Sequence, residues 1–362
     1  MKRVLALFAI AALTLITPAR AQKFSNTVFF SASDTDTGWY LYKPFQVGAA
    51  PGSLPPALGN GKAPAGAGTF TTNPDPGWAQ IFANKFGYAA IAADTPVTGG
   101  NNWAIGGARV VASYFNTWST EKQLAAYLAS TGGIADPNAI FTYWIGLNDL
   151  QTNTSAFGPY PGNIVNPQNV PQITKLASQE VSQIAALRAA GARYFLVPDI
   201  KDPSPAALAA TNPGAAYDVV GAASRNLYSQ LVWDGLAAQG INFIPADVNS
   251  LRNFIVLNPA LFGITVTSIA TGACGNVISY QCTAANLVTP NANKTYYYAD
   301  GLTSPFGGGH LSGTVQQIQA DYFYSPRGGS EPDLVSGRGS SQDAVRRDWS
   351  HQKPNPTVVW PD

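Results

Sequence analysis

The sequence predicts an α/β protein with a central parallel sheet, and three patterns support this fold class. Short β-prone apolar runs alternate with longer segments of helical periodicity, glycines stand where the helical segments should end, and polar residues follow the apolar runs. Strands that alternate with helices form a parallel sheet covered on both faces. Ligands of such sheets bind beyond the carboxyl ends of the strands, so the polar residues there are the candidates for function.

The first predicted strand and the first predicted helix lie within residues 27–87. Residues 27–30 form a short apolar run that is followed at once by small and polar residues, as at a buried strand that ends in a turn. Residues 44–77 are rich in Pro, Gly and Ala, which predicts a long surface loop. A helix is expected from Trp78, after Asp75 and Pro76, until Gly87.

The alternation then continues through the rest of the chain. Apolar residues recur at helical spacing in the helices, and β-branched or aromatic residues dominate the strands. The predicted elements are, in order, a helix at 121–130, a strand at 139–145, a helix through 173–187, a strand at 194–197, a helix near 218–239 and a strand at 241–244.

The N-terminus and the cysteines indicate an exported protein. Residues 1–21 combine a positive start, a short apolar run and a small-residue cleavage site, which predicts a signal peptide cut before Gln22. We therefore expect a periplasmic, cell-surface or extracellular location. Cys274 and Cys282 lie close enough in sequence to bridge locally in an oxidising compartment, and two free thiols are the alternative.

The composition argues against several classes of function. Charged residues make up 11% of the chain and the net charge is +1, with basic residues scattered, so no nucleic-acid partner is expected. Neither a histidine pair at metal-binding spacing nor a glycine-rich loop with a following lysine is found, so we expect no metal and no cofactor. Residues 326–362 are richer in charge and lack apolar periodicity, which predicts a disordered tail.

Four segments at predicted strand ends, 31–38, 101–109, 146–149 and 298–310, are each weak signals alone. Together and in this order they resemble the sequence blocks of the SGNH (GDSL) hydrolase family, most closely the passenger domains of GDSL-type autotransporter esterases. The resemblance covers nearly all of a hydrolase domain at 22–325. It implies a three-layer α/β/α, flavodoxin-like fold and the hydrolysis of carboxylic esters.

The first three blocks assign the nucleophile and the oxyanion hole by this resemblance. The family's Gly-Asp-Ser-Leu is represented here by Ser31-Ala32-Ser33-Asp34, which makes Ser33 the nucleophile. In the second block Gly107 is the expected backbone donor to the oxyanion, with Gly106 as the alternative register. In the third block the Asn148 amide is expected to share this task.

The last block departs from the family's Asp-x-x-His pattern. Thr303 occupies the expected histidine position after Asp300, and His310 follows farther along. An insertion between Asp300 and His310 would leave both catalytic, with His310 as the base. The rival alignment puts Gly307 where the aspartate belongs, and a catalytically dead site is a third reading. The chain has only one other histidine, His351, in the atypical tail.

These observations predict an exported serine esterase or lipase that needs no cofactor. Its substrate would be a small-molecule or lipid ester, and acetylated polysaccharide and phospholipid remain open as substrates. An association with the outer membrane surface is a further expectation. The alternative from a different class is a binding or surface module whose SGNH site has decayed, which the altered first and last blocks favour.

Overall fold

The computed structural model describes residues 24–43, 62–111, 118–150, 170–201, 219–301 and 309–325. The predicted signal peptide at 1–21, the predicted tail at 326–362, Thr303 and Gly307 all lie outside the described residues, as does part of the predicted loop at 44–77.

A four-stranded parallel sheet forms the centre of the fold. The strands are β1 (Thr27–Ser31), β2 (Ile140–Trp144), β3 (Tyr194–Pro198) and β4 (Ile244–Ala246), in the spatial order β1-β2-β3-β4. Each neighbouring pair is parallel. The prediction of an α/β fold with a central parallel sheet is therefore confirmed.

Helices connect the strands and extend beyond the last one. Within the described ranges no helix is both long enough and apolar enough to cross a bilayer. The helices are α1 (Trp78–Lys85), α2 (Thr120–Ser130), α3 (Leu147–Leu150), α4 (Val170–Ala189), α5 (Val219–Ala238), α6 (Val248–Leu257), α7 (Ala292–Thr295) and α8 (Gly313–Tyr324).

Alternation along β1 produces the three layers. Successive side chains of a strand point to opposite faces, so Phe30 packs into the cluster that holds Leu124 of α2 and Val232 of α5. Phe29 instead joins the cluster with Trp78 of α1 and Phe323 of α8. The sheet thus lies between a layer of α2, α4 and α5 and a layer of α1 and α8.

The last predicted strand began too early in the chain. Residues 241–244 were expected to form it, whereas β4 starts at Ile244. Gly240 adopts a left-handed φ of 61° after α5, and the Ile241 N–H donates to the Leu236 carbonyl at 3.0 Å. This bond closes the last turn of the helix, so the residues after Gly240 complete the helix end before the chain reaches the sheet.

Candidate active site

Ser33 lies in a tight turn at the carboxyl end of β1. The Asp36 N–H donates to the carbonyls of Ala32 at 3.2 Å and Ser33 at 3.3 Å, which reverses the chain directly after the strand. The Thr35 hydroxyl donates to Ser31 Oγ at 2.8 Å and fixes the base of the turn. The Ser33 side chain is thereby held at the sheet edge, where it is half-buried rather than enclosed.

Three predicted site residues meet in a hydrogen-bonded series. Ser33 Oγ lies 2.9 Å from His310 Nε2, across 277 residues of sequence. On the other side of the ring, His310 Nδ1 lies 2.8 Å from Asp300 Oδ2. A neutral imidazole with its proton on Nδ1 can accept the serine proton at Nε2, so this geometry can activate a serine hydroxyl.

Asp300 is fully buried and held in one orientation. Its carboxylate accepts the backbone N–H groups of Ser279 and His310, each at 2.9 Å. Burial would raise its pKa, but the His310 ring and the hydrogen bonds from His310 and Ser279 outweigh burial and lower the pKa to about 2. Asp300 is therefore an anion throughout the neutral range.

Backbone bonds close the ten-residue separation between Asp300 and His310. The Ala299 N–H donates to the His310 carbonyl at 2.8 Å, and the Gly309 N–H donates to the Asp300 carbonyl at 3.1 Å. Gly309 has a φ of 103°, a conformation that favours glycine. The structure therefore places His310 beside Asp300, the pair joined by the insertion alignment.

The second block runs along the outer edge of β1 and reaches the turn that carries Ser33. The Trp103 N–H donates to the Phe29 carbonyl at 2.9 Å, and the Ile105 N–H donates to the Ser31 carbonyl at 3.3 Å. The Gly106 N–H is bound to Asp36 Oδ2 at 3.0 Å. The Gly107 N–H has no acceptor in the described part of the chain, which leaves it available to a ligand.

Asn148 lies in α3, directly beyond β2, and its amide is oriented by the second block. Asn148 Nδ2 donates to the Ala108 carbonyl at 2.8 Å. An amide nitrogen carries two protons, so one N–H remains for another acceptor. The residue is half-buried. The side chain thus lies beside the segment that carries Gly107.

Asp149 has a larger structural role than the helix cap that sequence usually indicates at such a position. It is fully buried, and its Oδ2 accepts the Val110 N–H at 3.2 Å. Burial raises the pKa of Asp149 to about 7, although Arg109 and the hydrogen bond from Val110 lower it. The carboxyl ties α3 to the chain just beyond Gly107 and Ala108.

Sequence reasoning missed two side chains that lie beside this site, Lys201 and Phe70. Lys201 forms an ion pair with Asp34, the residue directly after Ser33. The Phe70 ring lies 4.7 Å from the His310 ring, centroid to centroid. Lys201 could have been found as a charged residue just beyond the predicted strand at 194–197. Phe70 gave no such signal, because it comes from the long loop.

Two other expectations concern covalent and metal chemistry. Cys274 and Cys282 are joined by a disulfide. Among the described residues there is no group of three or more His, Cys, Asp or Glu side chains that could hold a metal ion.

Comparisons with known proteins give one curated relative and more distant structural neighbours. "Lipase 1" of Photorhabdus luminescens is 37% identical over 105 residues, which is 29% of this chain; the match spans 15% of that protein's length. The crystal structure of a member of the lipolytic protein G-D-S-L family from Veillonella parvula DSM 2008 covers 66% of this chain and 85% of its own, at 12% identity and a TM-score of 0.32. Another solved structure covers 84% of this chain and 95% of its own, at 13% identity and a TM-score of 0.38. No family model matches the chain.

Proposed function

We propose that this chain is an exported serine esterase or lipase of the SGNH hydrolase family, with Ser33 as its nucleophile. The observation that carries the proposal is the hydrogen-bonded series from Ser33 Oγ through His310 to Asp300, with distances of 2.9 Å and 2.8 Å. In this assignment His310 is the general base, and Asp300 orients the ring and stabilises its positive charge.

The first half-reaction forms an acyl-enzyme. His310 Nε2 takes the hydroxyl proton while Ser33 Oγ attacks the ester carbonyl carbon. The carbonyl oxygen becomes an oxyanion, which accepts hydrogen bonds from the Ser33 and Gly107 N–H groups and from the Asn148 amide. Each donor of this kind contributes about 3–4 kcal/mol to the stability of the transition state. His310 then gives its proton to the departing alcohol oxygen.

The second half-reaction releases the acid. Water enters the place of the alcohol, and His310 takes one of its protons as the water oxygen attacks the acyl carbon. The second tetrahedral intermediate uses the same three donors. When it collapses, the Ser33 oxygen regains its proton from His310 and the carboxylic acid leaves. The chain's own side chains supply every proton transfer, so the proposal requires no cofactor.

The substrate class and the location rest on separate observations. The 105-residue match to a lipase supports the hydrolysis of a small-molecule or lipid ester. The predicted signal peptide at 1–21 supports export, and a disulfide is typical of proteins outside the cytoplasm. Association with the outer membrane surface remains part of the proposal, because it follows from the resemblance to autotransporter passengers.

Ser33→Ala tests the nucleophile. Hydrolysis of short- and medium-chain p-nitrophenyl esters should fall by at least about 10³-fold, because the hydroxyl that attacks is gone. A fluorophosphonate probe should label the natural protein and not this variant. Ser178→Ala removes an exposed hydroxyl on α4 and should retain both ester hydrolysis and labelling by the probe.

Two outcomes would contradict this assignment. Hydrolysis that persists unchanged in Ser33→Ala would exclude Ser33 as the nucleophile. A folded natural protein that neither hydrolyses the esters nor reacts with the probe would favour the decayed binding module.

A further inference from the structure

We propose that the buried ion pair of Asp34 and Lys201 positions the catalytic histidine by linking the nucleophile turn to the segment that carries His310. As a role in catalysis this inference rests on the proposed function. It adds two residues to the machinery, neither of which contacts the reacting atoms.

The contacts of one ammonium group connect both halves of the site. Lys201 lies beyond the carboxyl end of β3, and its Nζ forms an ion pair with Asp34, which directly follows Ser33. The same Nζ donates to the Gly309 carbonyl at 3.4 Å, one residue before His310. A single side chain thus contacts the immediate neighbours of the nucleophile and of the base.

The pair is too deeply buried to resemble an ordinary surface salt bridge. The Lys201 side chain is 4% exposed and that of Asp34 is 12% exposed. Two ions withdrawn from water lose much of their hydration, and such pairs often add little net stability. A pair retained at this cost beside the nucleophile is therefore better explained by what it holds in place.

Both members of the pair are held charged by their neighbours. Burial raises the pKa of Asp34, but Lys201, His310 and Arg252 together bring it below its ordinary value. Burial lowers the pKa of Lys201 to about 8, with Arg252 acting in the same direction and Asp34 opposing it. At pH 7 Lys201 is therefore mostly a cation and Asp34 an anion.

Four charged groups from four parts of the fold interact around the ion pair, and two of them, Asp34 and Asp300, act directly on the His310 ring. Asp300 comes from the segment after α7, Asp34 from the nucleophile turn, Lys201 from the end of β3 and Arg252 from α6. Within the described part of the chain the Arg252 guanidinium has no hydrogen-bond partner, although it is 1% exposed. Two carboxylates and two cations balance each other when the imidazole is neutral.

This charge balance predicts that removing the charge of Lys201 and removing the charge of Asp34 have opposite effects on the protonation of His310. Lys201→Met leaves an excess of negative charge, which favours the imidazolium form of His310. Asp34→Asn leaves an excess of positive charge, which disfavours it. Each change should move the titration midpoint of the ring by about one pH unit, the size expected for one partly buried charge several ångströms away. A merely structural loss would give the two variants the same sign.

The measurement is an NMR titration of the imidazole C–H resonance of His310 in the full chain. The background variant His351→Gln leaves His310 as the sole histidine, since the chain has two. The midpoint should rise in Lys201→Met, fall in Asp34→Asn and return toward the starting value when the two are combined. Lys201→Arg keeps the charge and should stay near the starting value. Lys85→Met breaks a partly exposed ion pair with Asp321 and should have no effect.

Kinetics in the same variants measure the positioning itself. Lys201→Met should lower kcat for p-nitrophenyl esters about 10-fold or more, because the His310 ring would no longer be aligned with Ser33. KM should change little, because the substrate-binding site is unaltered. The acid limb of the kcat profile should move in the same direction as the NMR midpoint. Circular dichroism establishes that each variant is folded, and Lys201→Gln replaces Lys201→Met if the latter does not fold.

The outcomes separate this inference from the proposed function. The NMR titration needs no turnover, so a natural protein without esterase activity would refute the function while the midpoints still show whether the ion pair acts on the His310 ring. Equal midpoints in all variants, or shifts of the same sign in both single variants, would overturn the pair's role. Shifted midpoints with an unchanged kcat would show that the pair acts on the charge of His310 without positioning it, and would also overturn the proposal.

Discussion

Among single residues, Asp300 shows how burial and hydrogen bonding together determine a charge. The carboxylate has no exposed surface, yet the His310 ring and two backbone N–H groups keep its pKa at about 2. A carboxyl whose folded pKa is depressed stabilises the fold above its unfolded pKa of about 4 and loses that contribution as pH falls toward the folded value. The contribution of Asp300 to the stability of the fold is therefore complete at neutral pH and is lost progressively as the pH falls from about 4 to about 2.

We predict that Asp300→Asn lowers kcat by about 10³–10⁴-fold, because a neutral amide neither fixes the proton on Nδ1 nor stabilises the imidazolium. The variant should also be less stable than the natural protein at pH 7, and the difference should shrink as the pH falls from 4 to 2. Ester hydrolysis at pH 7 and urea unfolding across this pH range measure both effects. Asp234→Asn, on the exposed side of α5, is the matched control. Full activity in Asp300→Asn would remove Asp300 from the mechanism.

The sequence predicted the residues that lie in its blocks better than those that approach from elsewhere. Ser33 and His310 could be named because the order of four short segments is informative even when each segment is weak. The contact between Asp300 and His310 was one of three open readings, since spacing alone does not show how an inserted loop folds back. Lys201 and Phe70 were missed because their proximity to His310 arises only from the packing of distant segments.

At the level of elements, α4 and α5 pack against each other with a carboxyl group enclosed between them. Glu180 of α4 is 2% exposed and accepts a hydrogen bond from the Tyr228 hydroxyl of α5. Burial raises the pKa of Glu180 to about 8, the Tyr228 bond lowers it, and Asp149 raises it further. The folded protein therefore holds a proton that the unfolded chain releases at about pH 4.3.

The sign of this linkage predicts a pH-dependent gain from Glu180→Gln. Between about pH 4.3 and pH 8 the folded state binds more protons at this site, so Glu180 makes the fold less stable as the pH rises. The glutamine amide of the variant cannot ionise, so its stability does not fall with pH in this way. The difference in the free energy of unfolding between Glu180→Gln and the natural protein should therefore shift in favour of the variant by on the order of 3 kcal/mol from pH 5 to pH 8. Urea unfolding at both pH values measures the gain.

Glu121→Gln is the control for this comparison, because it lies exposed in the first turn of α2. Its effect on the free energy of unfolding should be small and similar at both pH values. If Glu180→Gln shows the same small and constant effect, the carboxyl group is already charged in the folded protein and the raised pKa is wrong.

The elements themselves were predictable where one periodicity dominates. The buried runs that became β1, β2 and β3 contain little besides apolar residues, and the helices between them end close to glycines such as Gly87 and Gly191. Prediction failed at β4, where Ile241 is equally apolar but serves the end of α5. Periodicity identifies what a segment can become, but capping bonds decide where it starts.

At the scale of the whole molecule, the site is assembled at the carboxyl ends of strands from segments far apart in sequence. Ser33 follows β1, Asn148 follows β2 and Lys201 follows β3. Asp300 and His310 come from the chain after the sheet is complete. Among the described residues after β4, no strand joins the sheet, so the position of Asp300 and His310 depends on other connections.

The disulfide is one of these connections. It closes a loop from Cys274 to Cys282, and the start of this loop pairs with the strand-like segment before Asp300 through the Cys274 N–H and the Ala299 carbonyl at 2.8 Å. The same loop supplies the Ser279 N–H that binds Asp300. The disulfide therefore stabilises the loop whose Ser279 N–H binds the Asp300 carboxylate.

We predict that Cys274→Ala with Cys282→Ala lowers the free energy of unfolding by about 2–3 kcal/mol, the loop-closure contribution of a separation of 8 residues. The same double variant should lose part of its kcat, because a looser loop holds the Ser279 N–H less firmly against Asp300. A thiol reductant should produce both effects in the natural protein and neither in the double variant. If mass spectrometry shows both cysteines reduced while kcat and the unfolding free energy are unchanged, the hydrogen bonds around Asp300 hold the site without the disulfide.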